Sequence, residues 1–246
     1  MTSARTQRKL PMLHSLRGGL IVSCQAYPGE PLRNAEAMAR IAQSAVLGGA
    51  VAIRAQGIQD IRAIAQSVTV PQIGLWKVGA DGVFITPTLD HALAVADAGA
   101  DIVAIDGTRR ERPDGLTLAE TVRQIRDRTG LLVMADAGSV DDAVAAEDAG
   151  ADIVGTTLSG YTGERARTAG PDLELVHLLA SRLSVPVFAE GRIHTPAEAR
   201  AALDAGAYSV VVGTAITHPT SITSWFVRAL TDEPAPAQGG VDRVGI

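Results

Sequence analysis

Two residues in this chain stand where apolar sequence ends and chemistry could begin. Lys77 closes the run Pro71-Gln-Ile-Gly-Leu-Trp-Lys77, and Glu190 closes Val185-Pro-Val-Phe-Ala-Glu190, directly before Gly191-Arg192. A lysine at the head of an apolar run is poorly solvated, so its pKa can fall from ~10.4 toward ~7–8. A neutral amine there can abstract a proton or form a Schiff base; the plain alternative is a rim lysine snorkelling along apolar surface. A carboxylate at the end of a buried strand sits where most folds place something apolar, and it calls for polar partners.

Other polar groups fall at the same kind of position. Apolar runs also end at Gln25, Arg54, Asp106, Asp136, Thr156-Thr157 and Gly213-Thr214. Any one of these could mark only the place where a strand meets its loop. Long charged residues continuing so many runs point instead to a ring of groups facing one small polar ligand. Gly191-Arg192 and Gly213-Thr214 suit an anion, because glycine lets a phosphate approach the backbone closely. Arg109, Arg110 and Arg112 share a loop with Pro113-Asp-Gly115, where a solvated loop and a site are equally open readings. Cys24 reads as a small core residue. The five histidines are scattered without metal-ligand spacing, so no metal is expected.

The elements that must hold this ring are written as a repeat. An alanine-rich helix ends in Gly-Ala and an apolar strand follows at once. The copies are Asp97-Ala-Gly-Ala-Asp101, Asp148-Ala-Gly-Ala-Asp152 and Asp204-Ala-Gly-Ala-Tyr208, with Leu47-Gly-Gly-Ala50 as a looser fourth. Glycine fits as the left-handed residue that ends each helix. Helix and strand alternating throughout give right-handed crossovers and a parallel sheet. Nine apolar runs can be counted, but Val83-Phe-Ile-Thr86 follows Lys77 after only five residues, too few for a crossover helix. It is expected to be an extra short strand outside the ring. Eight strands in about 220 residues make a single (β/α)8 TIM barrel. A doubly wound sheet is the alternative, but no Gly-x-Gly-x-x-Gly follows the first strand.

The barrel expectation sharpens the chemistry, since catalytic groups belong at the C-terminal ends of barrel strands. Lys77 on the third strand and Glu190 on the seventh would then face each other across the ring. Thr195-Pro196 after Glu190 opens a helix, with a hydroxyl cap and proline at the first helical position.

Bulk properties set the limits. The chain has 246 residues, 46% hydrophobic and only 3% aromatic, so the core must be built from Ala, Val, Leu and Ile. A net charge of −5 without a basic run argues against nucleic acid. One cysteine excludes an intrachain disulfide and fits a reducing compartment. No apolar run reaches ~18 residues, so no membrane-spanning helix is expected. No secretory signal is recognisable, and the expected location is the cytoplasm. Residues 1–10 read as a mobile arm, 11–231 as the barrel and 232–246 as a disordered tail beginning Asp232-Glu-Pro-Ala-Pro.

The residues also resemble a family. Ser23-Cys-Gln-Ala26 with Pro28-Gly-Glu-Pro-Leu32, Ala52-Ile-Arg-Ala55, Val83-Phe-Ile-Thr-Pro-Thr88, Gly155-Thr-Thr-Leu-Ser-Gly-Tyr-Thr162 and Ala189-Glu-Gly-Arg-Ile193 are similar to the N-acetylmannosamine-6-phosphate 2-epimerases. The likeness runs from about residue 14 to residue 230. It implies a barrel of the ribulose-phosphate-binding type and a cofactor-independent isomerase of amino-sugar and sialic-acid catabolism. That enzyme would interconvert the 6-phosphates of N-acetylmannosamine and N-acetylglucosamine. By the same resemblance Lys77 and Glu190 are catalytic, and Gln25, Arg54 and Asp136 lie near the sugar. Gly191, Arg192, Gly213 and Thr214 would form the phosphate region.

The sequence departs from the family where an arginine usually precedes the proline of the last loop: here it is His218. A histidine cannot make a bidentate pair with phosphate. The segment after Lys77 is also short, and Gly107, Ala137 and Gly138 differ from the common residues. Two other readings stay open: a Schiff-base lyase or aldolase using Lys77, and a non-catalytic phosphosugar-binding barrel. Barrels of this type often pair, so a homodimer is a further expectation.

Overall fold

Strand and helix alternate along the chain as the repeat requires. In the computed structural model, which describes residues 3–231, the strands are β1 (Leu20–Cys24), β2 (Ala52–Gln56), β3 (Gln72–Leu75), β4 (Ile102–Asp106), β5 (Leu132–Asp136), β6 (Ile153–Gly155), β7 (Val187–Glu190) and β8 (Ser209–Val212). The helices are α1 (Ser3–Leu16), α2 (Ala35–Leu47), α3 (Ile58–Ala65), α4 (Leu89–Asp97), α5 (Leu118–Thr129), α6 (Val140–Asp148), α7 (Leu173–Arg182), α8 (Pro196–Asp204), α9 (Thr214–Thr217) and α10 (Pro219–Thr231). The eight strands are parallel, pair in chain order and close β8 onto β1, which makes a (β/α)8 barrel. Among the described residues no helix is long and apolar enough to cross a membrane.

Alternation along each strand builds two apolar layers. Ile21, Ala52, Ile73, Ile102, Leu132, Ile153, Phe188 and Val211 face inward and fill the barrel. Val22, Ile53, Val103 and Val133 face outward and pack against the helices. Cys24 belongs to that outer layer, and burial, with Asp60 adding to it, pushes its thiol up to about 12. The helices start where the sequence marked them. Thr195 accepts from the Glu198 amide, Glu198 returns the contact to the Thr195 amide, and Pro196 takes the first helical position.

The floor is closed by the Gly-Ala turns. Gly49, Gly99, Gly150 and Gly206 have φ of 99°, 111°, 91° and 106°, a region that favours glycine. In each copy the residue after Gly-Ala donates its amide to the start of the preceding strand: Val51 to Leu20, Asp101 to Gln72, Asp152 to Val133 and Tyr208 to Val187. Asp101 and Asp152 add a carboxylate contact to the Gln72 and Val133 amides, each at 2.9 Å.

Two expectations change in detail. Residues 3–10, expected as part of a mobile arm, are the first turns of α1. The helix is anchored at its other end: Leu16 is fully buried, and Met12 and Leu13 pack on the inner apolar layer. Residues 1–2 and the expected tail at 232–246 lie outside the described residues. The extra strand at Val83–Thr86 is outside the ring of eight but reduces to one antiparallel bridge, Lys77 with Ile85. This segment wedges between β3 and β4. Direct β3–β4 pairing stops at Gly74 and Val103; above it Ile85 accepts from the Asp106 amide, and Thr86 Oγ1 accepts from the Trp76 amide and donates to Ala104 O at 2.7 Å. Thr86 does this with φ at 47°, a conformation costing about 1–3 kcal/mol that its contacts must offset. The hairpin so formed carries Lys77.

Candidate active site

The two-residue period gathers the polar ring at one end of the barrel. Ser23, Arg54, Asp106, Asp136 and Glu190 occupy inward positions near the C-terminal ends of their strands. Thr157 lies just beyond β6, and Gln25 and Lys77 just beyond β1 and β3.

Arg54 stands at the centre. It is not at a strand end, as the sequence suggested, but third of the five residues of β2, and its side chain crosses the barrel. Nη2 donates to Asp136 Oδ2 at 2.6 Å and Nη1 to Asp136 Oδ1 at 3.2 Å; Nη1 also lies 3.3 Å from Glu190 Oε2. Arg54 is 1% exposed and Asp136 0%. Thr157 Oγ1 is 2.8 Å from Asp136 Oδ1 and 3.1 Å from Glu190 Oε2, so its single proton serves one carboxylate at a time. Gly155 makes room for this arrangement, since a Cβ there would stand 2.5 Å from Met134 Cε and 3.0 Å from Asp136 Oδ1.

These distances divide the two carboxylates by role. Asp136 takes the guanidinium fork in a bidentate pair, the stronger geometry. Glu190 keeps one longer contact and a shared hydroxyl, and burial raises its carboxyl above the usual range despite the nearby Arg54 charge. Lys77 is shifted the other way. Burial first, and then the charge of Arg54, lower its amine to about 7, while Glu190 and Asp136 pull it upward. Lys77 Nζ donates to Gln25 Oε1 at 2.7 Å, and Gln25 Nε2 donates to Ser23 Oγ at 2.8 Å. An amine that can be neutral and a carboxyl that can be protonated therefore sit at β3 and β7, four strands apart in a ring of eight.

Two clefts open above them. One, of about 630 Å³, is lined by Glu190, Gly191, Arg192, Gly213, Thr214 and His218 among others. The other, of about 660 Å³, is lined by Lys77, Arg33, Gln56 and Phe84 among others. Gln25 and Tyr27 belong to both walls and divide them.

Several candidate residues are already engaged. Arg192 lies in the first cleft, but its guanidinium bonds Ser159 O at 2.8 Å, Gly170 O at 3.1 Å and Thr168 Oγ1 at 3.0 Å, and it stands over the Tyr161 ring. It ties down the loop after β6. His218 lines the same cleft, but its two ring nitrogens lie against the Glu30 carboxylate and the Ser221 hydroxyl. Asp106 is bound by Thr108 and Arg110. Arg109 pairs with Asp142 and Glu164, and Arg112 holds backbone carbonyls of Pro87 and Asp106. That loop is structural. Thr157 belongs to the ring of strand ends expected from the sequence, whereas Ser23 and Tyr27 line the cleft without having been assigned. Ser23 could have been found from the period, which puts it on the same face as Gln25.

A closed parallel barrel with titratable groups gathered above its C-terminal strand ends defines the class: a (β/α)8 barrel with a polar, titratable cluster at its mouth. Residues 38–232 match the family model described as "Putative N-acetylmannosamine-6-phosphate epimerase". A Cutibacterium acnes protein named "Putative N-acetylmannosamine-6-phosphate 2-epimerase" is 60% identical over 221 residues, covering 89% of this chain and 96% of its own. One of the same name from Caldanaerobacter subterraneus is 50% identical over 227 residues, 91% and 96% of the two chains. The solved N-acetylmannosamine-6-phosphate 2-epimerase of Clostridium perfringens superposes with a TM-score of 0.85 at 42% identity, over 89% of this chain and 96% of that one. The chain belongs to the N-acetylmannosamine-6-phosphate 2-epimerase family. A thiamine phosphate pyrophosphorylase from Pyrococcus furiosus, at 20% identity and a TM-score of 0.58 over 87% and 93% of the chains, shares the fold.

Proposed function

We propose that this protein is an isomerase that inverts C2 of N-acetylmannosamine 6-phosphate to give N-acetylglucosamine 6-phosphate, with no cofactor. The observation that carries the reading is the pair of opposed, oppositely shifted groups: the Lys77 amine lowered to about 7 and the Glu190 carboxyl raised, across the barrel mouth. The C2 proton is only weakly acidic until the sugar ring opens. Then C2 lies next to an aldehyde and its deprotonation gives an enolate.

Inversion follows when one group removes the proton from one face and another delivers a proton to the opposite face. A neutral Lys77 suits the first task and a protonated Glu190 the second, and the roles exchange with the direction of reaction. Arg54 is held charged by Asp136 and adds a fixed positive potential beneath the site, favouring the developing oxyanion. Gln25 positions the Lys77 amine. Backbone at Gly191 and Gly213 and the Thr214 hydroxyl would meet the phosphate end.

Incubating N-acetylmannosamine 6-phosphate with the protein in D2O and following C2 by NMR tests the reading. The expected product is N-acetylglucosamine 6-phosphate carrying deuterium at C2. Product without label would exclude proton abstraction. A Schiff base through Lys77 would instead leave a covalent adduct after borohydride reduction with substrate.

A further inference from the structure

We infer that His218 is a positioning residue that latches the loop between β1 and α2 through Glu30, and that it does not contact the phosphate end of the substrate. This rests on the epimerase reading for its kinetic measurement.

His218 follows α9 directly and its side chain is 4% exposed. Nε2 faces the Glu30 carboxylate, Nδ1 lies 2.6 Å from Ser221 Oγ, and the ring meets Tyr27 edge-on with centroids 4.5 Å apart. An imidazole has two nitrogens, and both face groups of this chain; an arginine has five donors and could hold the loop and an anion together. The Nε2 side is also hostile to phosphate, because an arriving dianion would meet the Glu30 carboxylate there.

What the latch holds matters to the reaction. The loop turns tightly around Glu30, whose amide donates to Tyr27 O and whose carbonyl accepts from the Arg33 amide. The same loop carries Gln25, which fixes the Lys77 amine, and Tyr27, which divides the two clefts. The neighbouring Thr217 donates to Ser23 O at 2.9 Å and anchors the end of β1 independently. The turn around Glu30 depends on His218. His218 thus acts on Lys77 through the loop.

The test compares wild type, His218→Ala, Glu30→Gln and the double variant on N-acetylmannosamine with and without the 6-phosphate. The latch predicts that each single change lowers kcat about tenfold on both sugars, with the ratio of their kcat/KM values shifting by less than about threefold. It also predicts that the double variant is no worse than either single one, because both break the same contact. A KM for the phosphorylated sugar that rises about thirtyfold in His218→Ala, with kcat intact and Glu30→Gln unaffected, would overturn it. Hydrogen exchange, which needs no substrate, separates this from the reading of activity. Amides of residues 25–34 should exchange about tenfold faster in His218→Ala, while those of β7 and β8 are unchanged. Unchanged exchange in that loop overturns the latch even if the wild type is active. If the wild type turns over neither sugar, the epimerase reading fails, and faster exchange still supports the latch.

Discussion

Arg54 gives both ends of its guanidinium to Asp136, at 2.6 and 3.2 Å, and only a shared nitrogen at 3.3 Å to Glu190. One carboxylate is thereby committed to holding a buried charge, and the other is left able to carry a proton. Removing the committed one tests this division. Asp136→Asn leaves the buried Arg54 without its main counter-ion and should cost about 3–5 kcal/mol in urea unfolding. It also removes a negative charge that raises the Glu190 pKa, so the alkaline limb of the activity profile should move to lower pH. A limb moving upward would contradict the assignment.

Thr157→Val makes the opposite shift. The hydroxyl bond at 3.1 Å lowers the Glu190 pKa, so its loss should move the alkaline limb to higher pH with little change in side-chain volume. The profile itself should be bell-shaped. In the proposed mechanism the Lys77–Glu190 pair works with one proton between them, too many being bound at low pH and too few at high pH. kcat/KM against pH for wild type and both variants reads the bell shape and both shifts.

Lys77→Ala or Lys77→Gln should lower kcat by about 10²–10⁴-fold. Lys77→Met should do the same and also stabilise the fold. The lysine binds a proton more weakly folded, at about 7, than unfolded, near the ordinary lysine value of 10.5. Between those values the unfolded chain holds more protons, so wild-type stability rises with pH across that window. The advantage of Lys77→Met in melting temperature should therefore be largest at pH 7 and shrink toward pH 10. An advantage that grows with pH would show that burial does not weaken proton binding at Lys77.

Arg192→Lys replaces three directed contacts with one point charge. KM should rise about tenfold, the scale of one or two lost hydrogen bonds, with kcat changed less. Faster hydrogen exchange across residues 159–171 is the accompanying signal. A loop that stays protected while KM rises would mean that Arg192 meets the substrate directly.

Much of this site was legible because strands alternate. Lys77, Glu190, Gln25 and Asp136 each follow an apolar run, and a barrel turns such endings into neighbours. Arg54 closes an apolar run in the sequence, yet the ladder to β3 continues past it to Gln56 with Leu75. The engagements of Arg192 and His218 could not be read, since their partners Gly170 and Glu30 lie 22 and 188 residues away along the chain. Residues 83–86 looked like a strand because they are apolar, but their partners are a hairpin and a gap between two strands. Helix α1 was missed because its anchoring residues lie at its C-terminal end, after Pro11.

The floor of the barrel repeats where the mouth does not. Val51, Asp101, Asp152 and Tyr208 make one and the same amide contact, each to the strand before it. Closure is thus solved locally, four times over, by pairs of strands that do not depend on what their far ends carry. These four contacts run between backbone groups, so a change of side chain at the mouth leaves them in place even where, as at the buried Arg54–Asp136 pair, it costs stability.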